Sequence, residues 1–399
     1  MNDPKNLISR VAGRSELLLT SLTEQIRQQK EEFSTTKYYQ VYSKASVAKL
    51  PKLTKAIVDK TVSEMESTNY RFEKRKAGSS EKYAMSIQNI VDIYTHRNVN
   101  KYRHKRQSAY SIFIGNLKGG VSKTVSTVSL AHGLRTHPHL LQEDLRILVI
   151  DLDPQSSATM FLNHNHSIGS IENTSAQAML QNVTRKELLN EFIVSSGIPG
   201  VDVMPASIED AFIASSWEQL CTEHLPNQNP NAILRENIID KIEKDYDFIF
   251  IDSGPHLDAF LINALAASNL LMTPIPPAQV DFHSTLKYLT RLPELLTMIE
   301  DSGVNLKVNS NIGFMSKLAN KADHKLCHSM AKEIFGGDML DVALPRLDGF
   351  ERCGESFDTV ISANPSTYVG STEALRSARV AAEDFAKAVF DRIEFIRSN

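Results

Sequence analysis

One segment constrains the fold more than any other: YSIFIGNLKGGVSKT at residues 110–124, running without a break into VSTVSLAHGL. An apolar run of strand length, a glycine pair, a Lys-Thr step and a helical pattern follow in immediate succession. Adjacent glycines let the backbone turn tightly and aim its N–H groups inward, and the start of the next helix adds the positive end of its dipole. The result is a cradle for a phosphate chain. Lys123 reaches the terminal phosphates, and the Thr124 hydroxyl offers a ligand to a divalent cation. The ordinary GxxxxGK[ST] spacing does not hold, because its two fixed glycines would fall on Leu117 and Ser122.

Downstream the chain alternates. Near-continuous Val/Ile/Leu runs at 110–115, 146–153, 201–205, 248–254, 270–276, 307–315 and 339–345 are separated by stretches of helical periodicity. Buried runs of this kind, each followed by a helix, predict an α/β fold with a mainly parallel, doubly wound sheet over residues 108–399. Asp151 and Asp153 in IDLDPQ lie at the end of one strand, and Asp252 closes FIFID at the end of another. Ligands of open α/β sheets bind at such ends. A single aspartate at a strand end often only caps the next helix, but three behind one phosphate cradle are too many for capping alone.

The residues before this body differ in charge. Residues 1–110 carry 21 Lys and Arg against 11 Asp and Glu, and the remainder carries 23 against 36, so the net charge of −3 hides a basic head on an acidic body. A basic head suggests a polyanionic partner. Within residues 1–40, residues 7–33 read as one long helix with Leu7, Val11, Leu18, Leu22, Ile26 and Phe33 on one face, suited to dimerisation or to packing back on the chain. Residues 41–107 read as a winged helix-turn-helix with its linker. Thr54 caps a helix starting at Lys55, YRFEKRKAGSSEKYAMS forms a hairpin around a Gly-Ser tip, and Ser86 caps IQNIVDIYTHR. In that layout the second helix enters the major groove and the wing touches phosphate. Lys52, Thr54, Lys55, Lys60, Lys74, Arg75 and Lys76 are the candidate DNA contacts. Residues 98–107 are polar, basic and aperiodic, the composition of a linker about which the two parts rotate. On the body, Lys317, Lys321, Lys325, Arg346 and Arg352 offer a second basic surface for DNA.

Several classes are disfavoured. No apolar run approaches the roughly 18–20 residues of a membrane span. The first residues have no apolar core of a secretory signal, and three cysteines without CxxC spacing argue against a disulfide framework or zinc ribbon. The paired histidines His137/His139 and His164/His166 have no obvious third ligand. Charges along 371–396 nearly balance, unlike a membrane-binding amphipathic tail. A cytoplasmic protein without membrane association is expected.

Lys118-Gly119-Gly120-Val121-Ser122-Lys123-Thr124 fits the deviant Walker A pattern xKGGxxK[ST]. With IDLDPQSSAT and FIFID it resembles the ParA/MinD family of ATPases, and the N-terminal winged helix makes it similar to the long, type Ia ParA group. Ser122 departs from the glycine of most of that family, which implies a less mobile loop. The resemblance implies ATP/ADP and Mg²⁺ as cofactors. It implies that Gly119 to Val125 cradle the nucleotide, that Lys118 reaches the phosphates of a partner monomer, and that Lys123 and Asp153 serve hydrolysis, Asp153 by positioning water. Thr124, Asp252 and Asp151 are implied around Mg²⁺, and Met315 and Pro345, near Phe314, at the adenine. It further implies a homodimer, non-specific nucleoid DNA binding in the ATP state, stimulation by a ParB-type centromere-binding protein, and repression of its own operon through operator DNA. The alternative is a nucleotide-sensing repressor whose ATPase domain only dimerises.

Overall fold

The computed structural model describes residues 4–33, 38–77, 80–166 and 171–398. The first helix runs over Pro4–Phe33. Its Ile8, Val11, Leu17, Leu18, Leu19 and Leu22 are all exposed. The side chains of Leu7, Ile26 and Phe33, part of the expected stripe, lie outside the described residues.

The next unit forms where local signals place it. Ser43 caps a short helix, Lys44–Val47. The Thr54 hydroxyl accepts from Ile57 N–H at the start of the helix Lys55–Ser67. Ser86 and Asn89 exchange bonds in a capping box at the start of Ile87–His96. All three caps satisfy N–H groups that the helix itself leaves unpaired. Between these helices, β1 (Lys74–Ala77) and β2 (Ser80–Tyr83) pair antiparallel, with Arg75 opposite Lys82 and Lys76 opposite Glu81. The Gly78-Ser79 tip expected for this hairpin lies outside the described residues.

Eight strands form the main sheet: β3 (Tyr110–Ile114), β4 (Ile147–Asp151), β5 (Val194–Ser195), β6 (Val201–Met204), β7 (Phe248–Asp252), β8 (Leu270–Ile275), β9 (Ser310–Leu318) and β10 (Leu344–Pro345). Their order is β10-β9-β8-β3-β7-β4-β6-β5, parallel throughout except for β5, which pairs antiparallel with β6 at one edge. Six of the eight fall within the expected strand regions, and β9 overlaps its region but runs on to Leu318. β5 is two residues long and carries no pattern to read. Alternation along the strands buries both faces. Ile112, Ile114, Ile147 and Val149 pack on one side with the helices Lys123–Thr136 and Thr372–Ser398, while Phe113, Leu148 and Ile150 pack on the other. Side chains two apart share a face, so a strand covered on both sides must be apolar at every position. Among the described residues no helix is long and apolar enough to cross a membrane.

Residues 98–107 do not behave as the loose connector their composition suggests. Tyr102–Lys105 form a helical turn, and Tyr102 is 1% exposed. Its ring lies 5.2 Å from Phe248 and 5.8 Å from Phe390, and its hydroxyl donates to Glu394 at 2.5 Å. Lys101 and Arg103 pair with Asp144 at 2.9 and 3.1 Å, and Lys105 pairs with Glu143 at 3.1 Å. Asp144 also takes Arg135, from the end of the helix that follows the phosphate loop, at 2.9 Å. Burial alone would raise the Asp144 pKa, but these cations outweigh it and hold the carboxyl below its usual range. The anchors are distant in sequence, so composition alone could not reveal them.

Candidate nucleotide site

The loop after β3 is shaped by contacts that exclude most side chains. A Cβ at Gly115 would stand 2.4 Å from the Phe113 ring. Asn116 is fully buried. Its amide donates to the Pro274 carbonyl at 3.1 Å and the Thr285 hydroxyl at 2.9 Å, and its carbonyl accepts Lys118 N–H at 2.9 Å. Gly120 and Ser122 both have φ of +73°. Glycine adopts that conformation freely, whereas a serine there costs on the order of 1 kcal/mol. Ser122 thus occupies a glycine geometry and makes no side-chain capping bond to the helix Lys123–Thr136.

Lys123, 7% exposed, donates from Nζ to the Lys118 carbonyl at 3.2 Å. Burial lowers its pKa, while Asp252 and Asp153 oppose that shift. The Thr124 hydroxyl donates to Asp252 at 2.7 Å, and Thr127 reaches the other carboxylate oxygen at 3.3 Å. Burial pushes the Asp252 pKa up to about 7; the charge of Asp153 adds to the rise, and Thr124, Lys123 and Thr127 resist it. A threonine hydroxyl and one carboxylate beside a phosphate cradle suit Mg²⁺, which takes few protein oxygens and completes its shell with phosphate and water. No group of three His, Cys, Asp or Glu that could hold a metal occurs among the described residues.

Asp151 differs from the metal-shell role that its motif implies. It pairs in register with Asp252 on the adjacent strand and is fully buried. One oxygen accepts Asp153 N–H at 3.1 Å, and the other accepts both Thr159 N–H and the Thr159 hydroxyl at 2.8 Å. With both oxygens committed to its own chain, Asp151 holds the loop that presents Asp153. Burial and the Asp252 charge raise its pKa well above the ordinary value, against the Thr159 bonds.

A cleft of about 470 Å³ opens over the loop. Gly119, Gly120, Ser122, Lys123, Thr124, Val125, Asp153 and Pro345 line it. Val121 is buried behind them. Met315 does not reach the cleft. It is buried among Ile275, Phe282, Cys327 and Met339, while its neighbour Phe314 turns to the opposite face against Phe385. Lys118 also points away, pairing with Asp281 at 3.3 Å. Gln155, which closes the IDLDPQ motif, completes the wall with residues outside any motif: Phe161, Lys317, Arg346, Phe350 and Glu351. Phe161 and Phe350 stand on short helices after β4 and β10, where only the sheet topology brings them together.

The expected DNA contacts separate. Lys55, Lys60, Lys74, Arg75 and Lys76 are exposed on the second helix and the hairpin. Lys52 has a φ of +59° in the turn before that helix. Thr54 spends its hydroxyl on the cap, and Lys74 is paired with Glu66 at 3.3 Å and lies over the Tyr83 ring. Arg352 lies apart from these, exposed on the helix Asp348–Cys353 of the body. Arg346 pairs with Glu351 at 3.3 Å.

Residues 15–106 match the family model of the ParA helix turn helix domain, and residues 109–308 match that of an AAA domain. Plasmid partition protein A of Escherichia coli is 71% identical over 399 residues, covering all of both chains. The chain belongs to the plasmid partition protein A family. It is a partition protein with an N-terminal helix-turn-helix domain and a P-loop ATPase domain. Protein SopA of Escherichia coli is 27% identical over 286 residues, 69% of each chain. A solved partition protein matches over all of both chains with a TM-score of 0.80 at 49% identity. Cobyrinic acid a,c-diamide synthase from Mycobacterium smegmatis, solved with ADP and magnesium, matches 72% of this chain and 96% of its own at 17% identity and a TM-score of 0.52, a likeness of fold alone. The partition family's ATPase fold and its N-terminal DNA-binding module thus account for both parts of the chain.

Proposed function

We propose that this partition protein binds ATP with Mg²⁺ in the cleft over residues 119–125, hydrolyses it slowly, and uses the nucleotide state to choose between two modes of DNA binding. The convergence of Lys123, Thr124, Asp153 and Asp252 around one cleft carries this reading. The loop N–H groups and Lys123 would bind and orient the phosphates. Thr124 and Asp252 would hold the Mg²⁺, which neutralises charge on the terminal phosphates. Asp153, at the cleft wall and accepting Gln155 N–H at 3.0 Å, would orient the attacking water. Lys118, outside its own cleft, would reach the phosphates of a second copy, so that nucleotide joins two monomers.

In this reading the ATP dimer binds nucleoid DNA through phosphate contacts that weaken with salt. A ParB-type centromere-binding partner stimulates hydrolysis and releases the dimer. The winged helix, paired through the first helix with its exposed apolar stripe, represses the protein's own operon at an operator. Lys52 and Lys55 lie at the start of the helix that would meet base edges, with Lys60 further along it, and Arg75 and Lys76 lie on the wing that would meet phosphate.

The test measures binding to a random duplex and to the protein's own promoter fragment, each without nucleotide, with ADP and with a slowly hydrolysed ATP analogue, with Lys123→Ala as control. Random-duplex binding that requires the ATP analogue, with promoter binding that persists in ADP, is the expected result. Promoter binding indifferent to nucleotide and to Lys123 would leave a repressor whose ATPase domain only dimerises.

A further inference from the structure

Lys317 stands where a strand loses its register. β9 pairs with β10 so that Leu344 faces Ser316 and Pro345 faces Leu318. Lys317 is therefore the extra residue of a bulge, and its φ is +52°. Bulges beside functional sites re-aim a side chain. A left-handed backbone at a lysine is strained, and it persists only where its surroundings hold it. The re-aimed side chain enters the nucleotide cleft, and its ammonium donates to the Gly120 carbonyl at 2.7 Å. Among the described residues no carboxylate stands within ion-pair distance of it. Arg346, grouped with it in the sequence, also lines the cleft but is paired with Glu351 at 3.3 Å.

We infer that Lys317 is a positioning residue for the phosphate loop, a cation supplied by the bulge that clasps the Gly120 peptide so that the loop is set for an anion before one arrives. Gly120, at φ +73°, is a glycine free to leave that conformation unless something holds it. Fixing its carbonyl toward Lys317 fixes the N–H of the same peptide unit, that of Val121, toward the opposite side. A charged donor on a carbonyl also polarises that peptide and strengthens its N–H as a donor. The ammonium further adds positive potential at the cleft without entering the hydrolytic machinery. This inference rests on the cleft being a nucleotide site, but the clasp itself exists without nucleotide.

Two measurements on the full-length protein test it. Hydrogen exchange of peptides spanning 115–124 is followed in the nucleotide-free protein, and ADP is titrated calorimetrically, for the wild type and for Lys317→Met, Lys317→Gly and Lys317→Arg. Lys317→Met is expected to exchange about 3–10-fold faster in the loop and to bind ADP about 5–20-fold more weakly, the scale of one charge-assisted bond. Lys317→Gly should lose affinity similarly while its Tm rises by about 1–3 °C, because glycine relieves the left-handed strain. A merely structural lysine would not separate stability from affinity in this way. Lys317→Arg should restore most of the affinity. Loop exchange and ADP affinity in Lys317→Met and Lys317→Gly indistinguishable from wild type would overturn the inference. A wild type that does not bind ADP would instead sink the nucleotide reading, and loop exchange would still decide the clasp.

Discussion

The Lys118 ammonium stands 3.3 Å from the Asp281 carboxylate of its own chain, with both side chains about one-third exposed. Asp281 lies at the start of the helix Gln279–Asp301, and its carbonyl accepts the Thr285 hydroxyl that also receives Asn116. If Lys118 reaches the phosphates of a second monomer, as proposed, it must first leave this carboxylate. Half-exposed pairs are worth about 0.5–1 kcal/mol. Asp281→Asn should therefore strengthen ATP-analogue-dependent dimerisation about 2–5-fold, read by sedimentation velocity, without changing ADP affinity in the monomer. Weaker dimerisation in this variant would show that Asp281 belongs to the dimer contact.

Ser122 bears a glycine conformation at φ +73°. Ser122→Gly removes the strain and should stabilise the nucleotide-free protein by about 0.5–1 kcal/mol in chemical denaturation, with hydrolysis retained. A loss of stability would mean that the serine makes a contact outweighing its backbone cost.

Asp151 and Asp252 sit side by side and should respond oppositely. Asp151→Ala leaves Thr159 N–H, Thr159 hydroxyl and Asp153 N–H without their acceptor, at a cost of about 2–4 kcal/mol in stability. Asp252→Asn removes a buried acidic group whose pKa is already pushed up to about 7. It should leave the melting temperature unchanged or higher while abolishing Mg²⁺-dependent hydrolysis. Thermal melts and phosphate release on the two variants check the pair. Equal destabilisation would contradict the division of roles.

Glu383 gives a pH dependence away from the cleft. Burial pushes its pKa up to about 7, against Arg379 and with help from Asp384. The folded protein then keeps a proton that the unfolded chain releases above about 4.5, so this group's contribution to stability falls as pH rises toward 7 and levels off beyond it. Glu383→Gln should match the wild type near pH 5 and exceed it by about 1–3 kcal/mol at pH 8. Melting curves across that range that stay parallel would refute the assignment.

What was legible in the sequence was local. Thr54 and Ser86 announce helix starts because a cap acts on residues two or three positions away. KGGVSKT announces a phosphate cradle because its geometry is set by the residues themselves. Seven strands are visible because burial on both faces leaves uninterrupted apolar runs. The cleft's far wall was not legible, since Phe161, Phe350 and Lys317 meet only through the sheet order. Met315 and Pro345 show the limit most directly. Both are apolar residues near strand ends, yet the alternation of β9 sends Met315 into a closed cluster while β10 leaves Pro345 on the cleft. Tyr102 was hidden for a related reason: a lone aromatic in a basic run has no period, and Glu394, which accepts its hydroxyl, lies almost three hundred positions away.

Asp144 joins Lys101 and Arg103 on one side to Arg135 on the other, and Arg135 ends the helix that begins at Lys123. A rod thus runs from the phosphate cradle to the base of the winged helix with no slack chain between them. Any tilt of that rod would be delivered to the helix-turn-helix domain as torque. The half-site spacing that two such chains tolerate would then serve as a gauge of what their clefts contain.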